Sequence, residues 1–254
     1  MLDGIEGLLL ITLTVSASIG TLLLLKHCWP NELRRQHNDL IGWHISVLGS
    51  TYAVIIGFML FAVWSNFQQA EANTESEANS LVGVIRSARG LSTAQSARIR
   101  TLAMRYVENM LAEEWPAMVR GRVSPESQTI VEDLWTTITG SKTETPAEQA
   151  TLTQTLQELS RMSEFRRQRE LQVTASLPPI LWAVLVVGAT VTIVSACLFG
   201  TVDFRLHAIQ VAMLALMISS VLVAIADINR PFQGAVHIST AAFERARSTM
   251  HARR

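Results

Sequence analysis

Four stretches of the chain contain no Asp, Glu, Lys or Arg, and each is long enough to cross a membrane. They cover residues 7–25, 40–70, 171–202 and 206–226. About 20 apolar residues in a helix span the hydrocarbon core of a bilayer. A backbone in lipid has no water to bond, so each span must be helical. The pattern therefore predicts an all-α, polytopic membrane protein with four transmembrane helices.

Changes of composition predict where the chain divides. We expect transmembrane helices one and two in residues 1–70, a helical extramembrane insert in 71–176, transmembrane helices three and four in 177–229, and a C-terminal tail in 230–254. The first helix is preceded by two acids where a signal peptide would carry bases, so it is expected to remain as a membrane span.

The insert is expected to be a small antiparallel bundle of helices. Span two should continue as a helix to Gly90, because no proline interrupts it. The segments 124–126 and 145–148 each predict a helix start, with the hydroxyl of Ser124 or Thr145 as N-cap and a proline at the first helical position; the second has the pattern of a capping box. A buried face is predicted from the helical spacing of Leu152, Leu156, Leu159 and Met162.

Small residues recur every four positions on span two, at Gly49, Ala53 and Gly57. Such a stripe lets helix backbones approach closely in a membrane. Packing inside one subunit is the leading interpretation, and a subunit interface is the alternative. Arg230 and Pro231 are expected to have a structural role where span four ends.

Another face of span two is suited to line a pore. Its members recur at spacings of three and four: Thr51, Val54, Phe58, Phe61, Ser65 and Gln68. Around the axis of an oligomer this face would present hydroxyls and then a hydrophobic constriction. Beyond it we expect an acidic vestibule formed by Glu71, Glu75, Glu77 and Asp227.

The vestibule would concentrate cations at the pore mouth, because it repeats negative charge around the axis. The alternative is that these acids pair with arginines of the insert, namely Arg161, Arg166, Arg167 and Arg169. Asp227 lies near the end of a span, where an acid needs a partner or water; the nearest candidate partner is Arg230.

Four spans place the insert and both termini on one side of the membrane. Two acids precede span one, whereas Lys26, Arg34 and Arg35 follow it, which favours a cytoplasmic loop there and an insert outside the cytoplasm. The arginines of the tail and of the insert favour the opposite orientation. We take the charge difference across span one as the deciding signal.

Several functional classes lack support in the sequence. It contains no HExxH, CxxC, GxGxxG, P-loop or GxSxG motif, so we expect no metal site, no cofactor and no enzyme activity. Its 21 basic and 21 acidic residues balance, so no nucleic-acid partner is expected. The expected partners are the lipid bilayer, other copies of the chain and inorganic ions.

Six segments together resemble the bacterial four-span family called bestrophin-like, over nearly the whole chain. They are Gln36-His37-Asn38-Asp39, Tyr52-Ala53-Val54 with Phe58, Glu77-Ala78-Asn79-Ser80-Leu81, Glu114-Trp115-Pro116-Ala117, Leu177-Pro178-Pro179-Ile180-Leu181-Trp182 and Arg230-Pro231-Phe232-Gln233-Gly234. Bestrophins are oligomeric anion channels with four spans per subunit and a pore lined by the second. The resemblance implies a similar subunit here.

The leading hypothesis is a homo-oligomeric ion channel of the bacterial inner membrane, cation-conducting, with span two lining the pore. The alternative is a non-conducting membrane scaffold or sensor whose helical insert binds a partner.

Overall fold

A computed structural model describes residues 4–252, which form helices and turns without a strand. The α-helices are α1 (Gly4–Cys28), α2 (Asn31–Gln36), α3 (Asn38–Ser87), α4 (Thr93–Asn109), α5 (Trp115–Val119), α6 (Glu126–Thr139), α7 (Pro146–Thr174), α8 (Pro179–Cys197), α9 (Phe204–Ile228) and α10 (Ala241–Ala252). A 3₁₀ turn (Ala88–Gly90) follows α3, and a π-helical turn (Met110–Glu114) follows α4.

The chain divides into two compact units. The first, here the spanning unit, comprises residues 4–66 and 176–229; the second, the insert unit, comprises 67–175 and 230–252. Four of the described helices are long and apolar enough to cross a membrane: α1, the helix from Asn38 to Gly90, α8 and α9. The predicted fold class, all-α with four spans and a helical insert, is confirmed.

The spanning unit packs around small residues. Helix α1 lies against α8 and α9, and a core forms around Leu22, Ala189 and Val211. Tyr52 of α3 lies beside Gly188 of α8, where a Cβ atom would come within 2.4 Å of the tyrosine ring. The Tyr52 hydroxyl donates to the Leu185 carbonyl at 3.1 Å. Gly188 is therefore the contact point that brings α3 and α8 together.

Two asparagines fix the turn between α8 and α9. The Asn31 amide donates to the Thr201 carbonyl at 2.6 Å and accepts from the Thr201 N–H at 3.1 Å. Asn38 makes the same two bonds with Gly200, at 2.8 and 2.9 Å. These pairs satisfy backbone groups that the turn would otherwise leave without partners.

The insert unit is a bundle in which α4 packs on α6 and α10, and α6 packs on α7. Helix α3 ends at Ser87 and its 3₁₀ turn at Gly90, as the absence of proline predicts. The Thr145 capping box is confirmed. The N-cap prediction at Ser124 is wrong, because Pro125 occupies the N-cap and no side chain bonds there. An unpredicted capping box at Ser92 starts α4.

The predicted buried face of α7 is confirmed in part, because Leu159 and Met162 are buried while Leu152 and Leu156 are half-buried.

Residues 230–252, expected as a separate tail, pack inside the insert unit. Phe232 and Phe243 are buried against the ring of Trp115, with ring centroids 5.9 and 6.3 Å from it. Burial of these aromatic rings explains why the segment folds with the insert. Two arginines of the tail, Arg253 and Arg254, and the acid Asp3 before span one lie outside the described residues.

Candidate functional site

The predicted pore face of α3 is exposed throughout. In the spanning unit Thr51, Val54, Phe58, Phe61 and Ser65 are all exposed, the two phenylalanines by 66% and 69%. In the insert unit Gln68 is exposed as well. Tyr52 and Val63, which project elsewhere from the helix, are buried. Most of this face is therefore left uncovered by the described residues.

The hydroxyls on this face differ from most others in the spanning unit. Ser46, Ser50, Thr190 and several other Ser and Thr side chains donate to a backbone carbonyl of the preceding helical turn. Within the described part of the chain, the hydroxyls of Thr51 and Ser65 make no hydrogen bond. They are available to water or an ion.

The predicted small-residue stripe does not pack within the subunit. Gly49 is half-buried, and Ala53 and Gly57 are exposed. A Cβ atom built at Gly49 or Gly57 meets nothing within 4 Å. The leading interpretation, intra-subunit packing, is wrong for these two glycines because none of the described helices lies against them. The subunit interface stays a prediction.

Glu77 does not belong to an exposed vestibule, because it is fully buried in the insert unit. Arg169 Nε donates to its Oε2 at 2.7 Å, and the Tyr106 hydroxyl donates to its Oε1 at 2.5 Å. Arg169 Nη1 also donates to Glu114 Oε1 at 3.2 Å, and the Ser127 hydroxyl donates to the other Glu114 oxygen. The alternative of pairing with an arginine of the insert is the correct one for Glu77.

We call Glu77, Tyr106, Glu114 and Arg169 the buried charge cluster; all four are fully buried. Burial and the neighbouring Glu77 carboxylate raise the pKa of Tyr106 well above its ordinary value. Burial alone would lower the pKa of Arg169, but Glu77, Tyr106 and Glu114 together raise it. The phenol therefore stays neutral and the guanidinium charged.

A second group of polar side chains also includes buried arginine. Arg166 contacts Glu170 at 2.6 Å and donates to Gln128 at 2.6 Å. Burial raises the pKa of Glu170 although Arg166 and Arg169 act to lower it. Arg161 and Arg167 are exposed and pair with acids of their own helix.

The other predicted vestibule residues are not members of the buried charge cluster. Glu71 and Glu75 are exposed, and Glu75 pairs with Arg245 at 2.9 Å. Asp227, in the spanning unit, is half-buried. Arg230 is exposed and donates to Gln233 at 3.4 Å.

Pro231 is buried, and its carbonyl accepts from the Ile238 N–H at 2.8 Å. The structural role of Pro231 stays a prediction. Across residues 4–252, no group of three His, Cys, Asp or Glu side chains is placed to hold a metal ion.

A family model described as the Bestrophin-like domain matches residues 12–243. The chain belongs to the Bestrophin-like family. The crystal structure of a bacterial bestrophin homologue from Klebsiella pneumoniae, phased by Zn-SAD, is similar with a TM-score of 0.70 and 15% identity, covering 97% of this chain and 99% of that one. The crystal structure of a mutant of a bacterial bestrophin homologue from the same organism has a TM-score of 0.72 and 13% sequence identity. The match covers 95% of this chain and 98% of that one. At these identities the likeness shows the bestrophin fold. A comparison with curated protein sequences gives no match.

Proposed function

We propose that this Bestrophin-like protein is a homo-oligomeric ion channel of the bacterial inner membrane and that α3 lines its pore. The observation that carries the proposal is the exposed face of α3. It combines two largely exposed phenylalanines with the free hydroxyls of Thr51 and Ser65. Membership of the family supports channel function.

Polar groups on this face favour a water-filled path over contact with lipid. The Gln68 amide and the two hydroxyls would find no hydrogen-bond partner among acyl chains, and unsatisfied polar groups are costly there. Around an axis they would meet water or ions instead, and Phe58 and Phe61 would form the hydrophobic constriction between them.

The exposed stripe of Gly49, Ala53 and Gly57 supports assembly from several copies. Small residues on a membrane helix allow a neighbouring helix to approach closely. Since no helix within residues 4–252 covers Gly49 or Gly57, a second subunit is the proposed neighbour.

We further propose that the channel prefers cations. Glu71 and Glu75 are exposed just beyond the pore face, whereas buried Glu77 does not contribute. Glu75 shares its charge with Arg245. No basic group of the described residues lies within ion-pair distance of Glu71, so Glu71 would supply most of the negative potential.

A flux assay on purified protein in liposomes tests channel function. Phe58→Ala should raise the ion flux because it widens the constriction. Leu13→Ala, on α1, is the matched control, since Leu13 is also 66% exposed. An oligomer that passes no ion would instead support the scaffold or sensor alternative. Equal effects of the two substitutions would refute a pore lined by α3.

Reversal potentials in an asymmetric salt gradient test selectivity. The parent should be cation-selective, and Glu71→Gln should reduce the selectivity more than Glu75→Gln or Asp227→Asn. An anion-selective parent would contradict the proposal, as would cation selectivity that all three neutralisations leave intact.

A further inference from the structure

A groove in the insert unit runs between the second half of α3 and α10. Its wider part, about 320 Å³ in volume, lies over the small side chains of Ala242 and Ala246. A narrower hollow adjoins it, because Val82, Arg86 and Thr249 line both. The volume of the wider part is typical of small-molecule sites.

The helical spacing of α3 directs polar side chains into this groove. Glu75, Asn79 and Arg86 line the wider part, and Arg86 and Arg89 line the narrower one. Glu75, Asn79 and Arg86 are four and seven residues apart, so they share one face of α3, and Arg89 follows in the 3₁₀ turn. Arg100 of α4 also lines the narrower part, and its guanidinium donates to the Met250 carbonyl of α10 at 2.5 Å.

The groove has a strong excess of positive charge. Of the described residues that line it, four are arginines, namely Arg86, Arg89, Arg100 and Arg245, and one is an acid, Glu75. Glu75 is already engaged by Arg245. Among the described lining residues, Arg86 and Arg89 therefore have no lining carboxylate left to balance them.

Like charges brought together repel each other, and a bound anion removes that cost. The planar guanidinium donates two parallel hydrogen bonds and matches the oxygens of phosphate and carboxylate groups. Several arginines around one groove suit a ligand with more than one negative charge. Asn79 adds an amide donor on the same wall.

We propose that this groove, which we call the arginine groove, binds an anion that carries phosphate groups. The arginines Arg86 and Arg89 neutralise the phosphate oxygens, and Asn79 donates a further hydrogen bond. A free polyphosphate and a phospholipid headgroup share this chemistry. The site is separate from the proposed pore face of α3, so its binding can be measured without ion conduction.

Titration of the full-length protein in detergent tests the proposal. Calorimetry with inorganic pyrophosphate, and separately with short-chain dihexanoyl phosphatidic acid, should show saturable binding of at least one probe. Tighter binding of pyrophosphate identifies a free phosphate compound as the ligand class, and tighter binding of phosphatidic acid identifies a lipid headgroup.

Arg86→Gln and Arg89→Gln should each weaken binding by about tenfold, the size expected for a lost charge-assisted hydrogen bond. Both side chains are exposed, so neither substitution removes a core contact. Arg247→Gln is the matched control, because Arg247 is exposed on α10 and does not line the groove. Absence of saturable binding, or an equal loss in Arg247→Gln, would overturn the proposal.

Discussion

Replacing Arg169 by methionine tests whether the buried charge cluster holds the insert unit together. Arg169 is fully buried and contacts two carboxylates, Glu77 at 2.7 Å and Glu114 at 3.2 Å. Methionine fills a similar volume but donates no hydrogen bond. Both carboxylates would remain buried, without the cation that offsets their desolvation.

The cost follows from that geometry. Removing one partner of a buried ion pair costs about 3–5 kcal/mol. Since two buried carboxylates lose Arg169 at once, we expect the upper part of that range. For a chain of this size each kcal/mol lowers the unfolding temperature by about 2–4 °C, so the fall should be roughly 10–20 °C. Thermal unfolding of the purified protein in detergent, followed by tryptophan fluorescence, measures it.

Two further variants show whether the charge is the cause. Arg167→Gln, on the same helix, removes an exposed arginine and should leave the unfolding temperature unchanged. Adding Glu77→Gln to Arg169→Met removes one of the stranded charges, so the double variant should be more stable than Arg169→Met alone. If Arg169→Met unfolds at the same temperature as Arg167→Gln, the cluster does not stabilise the unit as argued.

Four other predictions concern packing, assembly, pH and topology. Gly188→Ala should destabilise the spanning unit, because its Cβ would lie 2.4 Å from an aromatic ring. Gly57→Leu should preserve the subunit and weaken the oligomer, as measured by size-exclusion chromatography. An unchanged oligomer would mean that Gly57 faces lipid. Because the pKa of Tyr106 is raised in the folded state, its contribution to stability is complete below pH about 10 and is lost as pH rises through that pKa; alkaline unfolding should show this loss in the parent and not in Tyr106→Phe. Cysteines at Ser92 and Ser248 should label from the same side, outside the cytoplasm; labelling from opposite sides would refute four spans, and labelling from the cytoplasm only would reverse the orientation.

The fold was predictable because charge-free stretches of spanning length leave few alternatives. It was harder to predict on which side of α3 the acids Glu75 and Glu77 lie. Glu75 and Glu77 are two residues apart, which is about 200° around a helix, so they point in nearly opposite directions. A vestibule containing both was therefore inconsistent with one regular helix. The partner of Glu77, Arg169, is 92 residues away in sequence, and no local pattern connects them.

The face of α3 that we propose to line the pore could be delimited from the sequence, because its spacing is a local property of one helix. The arginine groove could not be predicted, because it forms only where α3, α4 and α10 meet, and α10 lies in a segment that was expected to be a separate tail.

The wrong N-cap prediction at Ser124 has a local cause. Its neighbour Pro125 takes the N-cap position itself, in a helical backbone conformation that leaves the serine one residue too early.

The segment Glu114-Trp115-Pro116 shows which structural features underlie the family resemblance. Pro116 has no N–H to donate, so a regular α-helical ladder cannot continue through it. Just before it the helix widens into a π turn, in which the Trp115 N–H bonds to the Met110 carbonyl five residues back. The consecutive side chains of Glu114 and Trp115 are both buried there.

Two residues at this π turn contact other segments on which the family resemblance rests. Glu114 shares Arg169 with Glu77, and Trp115 packs edge-on against Phe232. Three of the six segments therefore meet in the core of the insert unit, where they specify packing. Ser65 and Gln68, which supply polar groups to the proposed pore face, lie outside all six. The residues that carry the resemblance thus specify the packing of the insert unit, whereas the proposed pore face rests on side chains that this resemblance does not include.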